Sequence, residues 1–399
     1  MCSEHFITNK LYGFICNSYL ACALILLSAC GPTPSNLPRS VAASMPTATS
    51  QATHSAEWAQ TIEQLERTGR TAPTQSIQTA LALVPHMPTG SDIRLEALTV
   101  AGLLAGQQQS REPLAQVLQE LQAWDPKQAP ERVKLALTLI QARAAWDAGD
   151  TKLLGNLVEN FQADAVAREP VHSRIRLRHF HGAALIDTEH LDQAIGLLQQ
   201  ALGDAQKIDS SWRSAISAAT LSLAYVTAHQ PDRALAMLEF AQQRAQRDPD
   251  PITLMHVATQ ACFVYGELQQ RKLEHDHCQA AVDYARQAGS LTDEASALGN
   301  LSDHYLRSHD YSTALRLART ALPLARQTHN FSAEIVALHN IGQALIAQKS
   351  MAEGKAYILQ SLELDEKHGQ SGSVAESWRD LVHRSKQPVI GAAPSKPIV

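Results

Sequence analysis

A spacing of 40 residues runs through most of this 399-residue chain and limits what it can fold into. Small residues recur at that step: Gly102, Ala142, Gly182, Ser222, Cys262, Ser302 and Gly342. Three positions after them stand Ala105, Ala145, Leu185, Tyr225, Tyr265, Tyr305 and Leu345. Twelve positions after come Leu114, Leu154, Ala194, Ala234, Glu274, Ala314 and Gly354, and nineteen after come Leu121, Phe161, Ala201, Ala241, Ala281, Ala321 and Ser361. A fixed internal period of this length marks stacked repeats, each completing its neighbour's core. Each unit reads as a helical hairpin. The small residue of the first helix lets a neighbour approach closely, and small residues mark two crossings on the second. Turns fall at Gly149-Asp150, His229-Gln230-Pro231 and His309-Asp310. Long alternating runs of Val, Ile, Thr and Tyr are missing, so no sheet is expected.

The order small residue, aromatic or Leu, turn, Ala, apolar, Ala resembles the tetratricopeptide repeat. It is best matched in Asp303–Ala321, with Tyr305, Tyr311, Ala314 and Ala321, and in His181–Ala201. The resemblance implies an all-α, right-handed α-α superhelical solenoid over residues 55–385, with its helix pairs lengthened beyond the usual period of about 34. Glu274 stands where Ala is expected, which predicts an irregular second helix in the fifth unit. Residues 55–85 suggest a further hairpin, Ala56–Arg67 and Thr74–Val84, as a capping or membrane-facing element. Ser373–Arg384 reads as a covering helix with Trp378 and Leu381 inward, and 386–399 as a disordered tail.

Residues 11–29, LYGFICNSYLACALILLSA, form the most apolar run and end in Ser28-Ala29-Cys30. An apolar stretch closing on small residues has the shape of a secretory signal. The sequence LSAC also resembles the lipobox of bacterial lipoproteins, which implies cleavage before Cys30 and lipidation of its thiol. Residues 1–29 are then signal peptide or membrane anchor, and the Pro/Ser/Thr/Ala-rich stretch 30–54 a tether. The expected location is the periplasm, as an outer-membrane lipoprotein, with an uncleaved inner-membrane anchor as the alternative.

Chemistry is sparse. No phosphate-cradling, dinucleotide, zinc-protease, serine-hydrolase or paired CxxC motif is present, so no motif-based enzyme class gains support and no cofactor is expected. The net charge of −5 leaves no basic footprint for nucleic acid. The EHDHC run contains His275, His277 and Cys278, with Cys262 nearby. Packing explains these residues better than a metal, while a Cys262–Cys278 disulfide suits an oxidising compartment. Arg174, Arg176 and Arg178 sit two apart on a helix and therefore fan out instead of forming one anion patch. Trp124, Trp146 and Trp212 are scattered, and Tyr225, Tyr265 and Tyr305 read as core.

Solenoids of this family often bind partners along the concave face made by their first helices. On that resemblance His179 and Arg143 fall on the groove face. Asn300 and Asn340, equivalent residues in LGNLS and LHNIG, project into it as candidates to bracket a peptide backbone, with Asp303, Gln343 and His339 extending the same polar ridge. Inter-repeat bonding is the other role open to the two asparagines. The basic residues that clamp a C-terminal carboxylate in some relatives are replaced by Gly299 and His339. Residues 296–370 also resemble the repeat-containing sensory region of membrane-bound diguanylate cyclases, but no GG[DE]EF run follows. The expected function is a membrane-tethered scaffold that binds a peptide or protein. A sensory input region, and an enzyme or accessory of envelope processing, are the alternatives.

Overall fold

The structure, a computed structural model, describes residues 51–368 apart from 108–109, 125–129, 160–165, 167–168 and 187. Contacts separate residues 1–54 from residues 55–399, and the fold concerns the second unit. Among the described residues there are sixteen α-helices and no strand. An N-terminal pair, α1 (Gln51–Gly69) and α2 (Pro73–Leu83), precedes seven hairpins. The first three hairpins are α3 (Asp92–Gln107) with α4 (Arg111–Gln122), α5 (Pro130–Asp147) with α6 (Thr151–Val158), and α7 (Val171–Ala184) with α8 (Leu191–Lys207). The next two are α9 (Ser211–Thr227) with α10 (Pro231–Arg247), and α11 (Pro251–Glu267) with α12 (Arg271–Ala288). The last two are α13 (Leu291–Arg307) with α14 (Tyr311–Gln327), and α15 (Phe331–Ala347) with α16 (Met351–His368). The lipidation candidate Cys30, the signal 1–29, residues 30–50 of the tether, the helix expected at Ser373–Arg384 and the tail lie outside the described residues, while 51–54, expected as tether, are the first turn of α1. No helix among the described residues is long and apolar enough to cross a membrane.

The period follows from helix length and turn chemistry together. From α9 onward, helices of 17 or 18 residues alternate with turns of two or three, as in α9, Ala228-His229-Gln230, α10. The middle turn residue takes the left-handed conformation at Gly149, His229, Gln269, His309 and Lys349 within hairpins, and at Asp209, Gly289 and His329 between them. There the chain reverses through paired bonds of the kind Gln230 N–H to Tyr225 C=O and His229 N–H to Val226 C=O. Several helices are started by a side-chain cap. Asp250, Asp310 and Asn330 accept from the amides of Thr253, Thr313 and Ala333.

The small residues sit where first and second helices cross. A Cβ on Gly182 would lie 2.7 Å from Leu198 Cγ and 3.1 Å from the Ala194 carbonyl. In the last hairpin Gly342 and Gly354 face each other, and a Cβ on Gly354 would meet the Gly342 carbonyl at 2.6 Å. At the matching crossing in the sixth hairpin, Ser302 Oγ donates to the Ala314 carbonyl at 2.9 Å.

The fifth unit corrects one expectation. α12 runs unbroken from Arg271 to Ala288, although Glu274 is fully buried. Arg271 at 3.1 Å, Arg307 at 2.5 Å and His304 at 3.1 Å surround the carboxylate. Gly266 gives it room, since a Cβ there would lie 3.1 Å from Glu274 Oε1. A charge with partners on every side replaces the small residue without disturbing the helix.

The solenoid closes on itself after one superhelical turn. The amide of Phe331, at the start of α15, donates to the carbonyl of Ala148 at 2.7 Å. His368 stacks on Phe331 at 3.7 Å and meets Asp150 at 2.8 Å. Gly149 lies under Ser332, and a Cβ there would come within 2.7 Å of the Ser332 nitrogen. Gly149 and Gly289 share a positive φ, of 62° and 66°, but nothing lies within 4 Å of a Cβ on Gly289. Gly289→Ala should therefore cost only the left-handed strain, about 1–2 kcal/mol. Gly149→Ala should cost more and loosen the closing contact, with chemical denaturation of the two variants as the measurement.

Candidate functional site

The concave side of the turn holds a partly open cavity of about 180 Å³. It is walled by first helices: Arg143, Trp146 and Asp147 from α5, Arg176 and His179 from α7, Trp212 and Arg213 from α9, His256 from α11, and Asp293 from α13. Glu66 of α1 and Arg70 just beyond it complete the wall.

α1 adds Ile62 and Leu65 to the core of the first units, as a cap does, and also reaches later units. Its polar face is bound by ion pairs to later units. Glu63 meets Arg213 at 3.0 Å, Glu66 meets Arg176 at 2.7 Å and also pairs with Arg213, and Arg67 meets Asp248 at 2.5 Å. Arg70 follows with Asp250 at 2.6 Å, and Glu96 of α3 takes the other side of Arg176 at 2.7 Å. Arg213 is 3% exposed. Burial alone pushes the Glu66 carboxyl up, but Arg176 and Arg213 overcome it and bring the pKa down to about 2. Arg70 and Arg213 also cover the Trp212 ring, at 4.2 and 4.3 Å from its centroid.

The basic run in α7 divides as its spacing requires. Arg174 and Arg178 turn to buried Asp204 of α8, at 3.1 and 2.5 Å, while Arg176 turns inward.

Among the polar atoms of the wall closed off from solvent, Trp212 Nε1 and His179 Nδ1 make no hydrogen bond, and neither does one nitrogen each of Arg70, Arg176 and Arg213. Burial, with neighbouring His256 and Arg143 adding to it, pushes His179 down to about 3, so the ring is neutral at pH 7. Burial and Arg143 bring His256 to about 4, and its Nε2 lies 3.1 Å from Thr220 Oγ1. The wall therefore offers neutral imidazoles and an indole N–H beside fixed charges, a set suited to recognition by hydrogen bonding. No cluster of metal-ligating type occurs among the described residues.

Of the residues singled out from sequence, His179 and Arg143 lie in this wall. Asn340 does not face it. It is 2% exposed, and its amide donates to the Gly299 carbonyl of the preceding unit at 3.0 Å, which makes it an inter-repeat strut. Asn300 is half-buried and, like Asp303, Gln343 and His339, is not part of the wall. Asp303 pairs with Arg307 at 2.9 Å, and Gln343 bonds to His339 within α15. Cys262 and Cys278 are joined across the α11–α12 hairpin with Cα atoms 4.9 Å apart, away from the cavity. Sequence reasoning missed Glu66, Arg70, Trp146, Asp147, Trp212, Arg213, His256 and Asp293. The two tryptophans read as scattered are brought together in one wall.

No family model matches the chain, and no curated relative matches it. Solved structures do. A Rap protein in complex with competence and sporulation factor gives a TM-score of 0.56 at 10% identity, over 83% of this chain and 96% of that one. NprR in complex with its cognate peptide NprX gives 0.51 at 12% identity, over 74% of this chain and 84% of that one. At these identities the likeness concerns the fold, which is a tetratricopeptide-like helical solenoid.

The ion pairs of α1 yield a direct test. Glu66→Ala leaves Arg176 short of one carboxylate and Arg213 with Glu63 alone, both arginines being buried. It should destabilise the fold by about 3–5 kcal/mol in urea titration. Gln64→Ala, on the same helix, should cost about 0.5 kcal/mol or less.

Proposed function

We propose that this chain is a binding scaffold that holds a peptide or an extended protein segment in its closed superhelical turn. The observation that carries the reading is the cavity itself. It is walled by a helix from nearly every unit, and Trp212 Nε1 and His179 Nδ1 within it lack partners. Leaving buried polar groups unpaired costs stability, and a ligand that bonds them regains it. A backbone carbonyl suits the indole N–H, and a neutral imidazole accepts either a donor or an acceptor. The volume suits side chains of an extended segment and excludes a folded domain. The two solved structures of similar fold were determined with a factor and with a cognate peptide bound to them, which supports the same class of ligand here.

The reading extends to location. The apolar run 11–29 ending at Cys30 supports a secreted, lipid-anchored chain displayed in the periplasm. The Cys262–Cys278 pairing fits an oxidising compartment.

Two measurements test this. Randomised pentapeptide pools equilibrated with the protein and separated by gel filtration should leave a retained subset. Ile216→Trp, which enlarges a wall residue, should abolish retention; a chain that retains no peptide contradicts the binding role. In cells, Cys30→Ala should move the protein out of the membrane fraction. Alkylation without reductant should leave Cys262 and Cys278 unmodified, whereas two free thiols would contradict the location.

A further inference from the structure

The charges around the cavity are not evenly matched. On the side of α1, the arginines at 70, 176 and 213 are met by Glu63, Glu66, Glu96 and Asp250. On the opposite side one guanidinium faces two carboxylates. Arg143 Nε donates to Asp147 Oδ2 at 2.8 Å within α5, while Asp293, in the first turn of α13, makes no ion pair. Its Oδ2 accepts from Ser290 at 2.6 Å. The remaining oxygen of each carboxylate, Oδ1 of Asp147 and of Asp293, has no hydrogen-bond partner among the described residues. Burial raises both carboxyls above the usual range, and each Asp is also close enough to feel Arg143. This corner holds two carboxylates and the one guanidinium of Arg143, one positive charge short of balance.

The aromatic surroundings differ in the same sense. Trp212 is already covered by two guanidinium groups. Trp146, next to Asp147 in sequence and in the same wall, is bordered by His179 at 5.8 Å and Phe180 at 6.0 Å, with no cation on its face among the described residues. An open indole face beside unpaired carboxylate oxygens is a site for an ammonium group. His179, neutral and with Nδ1 unpaired, borders that face and adds a hydrogen-bonding group without adding charge.

We propose that this corner seats the ammonium group of the bound segment, a lysine side chain or a free N-terminal amine, between Asp147 and Asp293 and against Trp146. The inference rests on the peptide-binding reading and gives its ligand a chemical class. A carboxylate-rich ligand end is excluded from the corner, and neutral segments leave Asp293 without a counter-charge.

The test uses the full chain and three randomised pentapeptide pools. One is N-acetylated and contains lysine, one has a free N-terminus and no lysine, and one is N-acetylated with norleucine in place of lysine. Retention after gel filtration is read by mass spectrometry. At least one cationic pool should be retained about tenfold over the norleucine pool, as a charge-assisted bond implies. Which of the two it is identifies the source of the ammonium. Asp293→Asn should remove that preference, and Asp147→Asn should do so independently if the first variant folds poorly by circular dichroism. Equal retention of neutral and cationic pools overturns this inference while leaving the binding role intact. If no pool is retained, both fall.

Discussion

The cavity exists because the turn at Ala148–Asp150 meets the start of α15. The hydrogen bond from Phe331 N–H to Ala148 C=O joins residues far apart in the chain, and Gly149 is the residue that lets the two backbones approach. Without that meeting the same hairpins form an open solenoid, and Asp147 and Asp293 no longer share a wall. The closing contact is small, but it acts on a stiff object. The two helices of a hairpin lock at glycine, alanine and serine crossings and hairpins stack into a continuous core, so little freedom remains to be lost when the ends meet.

α1 depends on the same geometry. Its partners, Arg176, Arg213, Asp248 and the neighbouring Asp250 that holds Arg70, come from three consecutive hairpins. Buried ion pairs contribute little net stability when compared with apolar packing, yet they penalise any arrangement that separates the partners. Their effect here is to place one helix in one position along the concave face, leaving the Asp147–Asp293 side open. Ion-paired arginines thus line one wall of the cavity, and Asp147 and Asp293, which share the single guanidinium of Arg143, line the other.

The fold was legible because its determinants are local and repeated. Forty residues are two helices of 17 and two turns of three, and small residues at fixed offsets announce the crossings. His179 and Arg143 were legible for the same reason, since repeat register assigns a face. The rest of the wall was not, because Glu66, Trp146, Trp212 and Asp293 meet through superhelical closure, which accumulates from small rotations that no motif records. For Asn340, of the two roles left open by the sequence, the structure shows inter-repeat bonding. Its register is right, but its amide turns back to the Gly299 carbonyl, in a narrow gap where Val336 leaves a Cβ on residue 299 only 3.1 Å. Glu274 carried its own signal in Gly266, eight residues earlier, which makes the space the carboxylate occupies.

Amide hydrogen exchange at Phe331 tests the closed turn most directly. As the first residue of α15 it has no acceptor within its own helix, so its protection reports only the bond to Ala148. The closed turn predicts exchange at Phe331 far slower than at Ser211 and Leu291, which begin α9 and α13. Exchange at Phe331 as fast as at those two amides would contradict the closure, and with it the cavity.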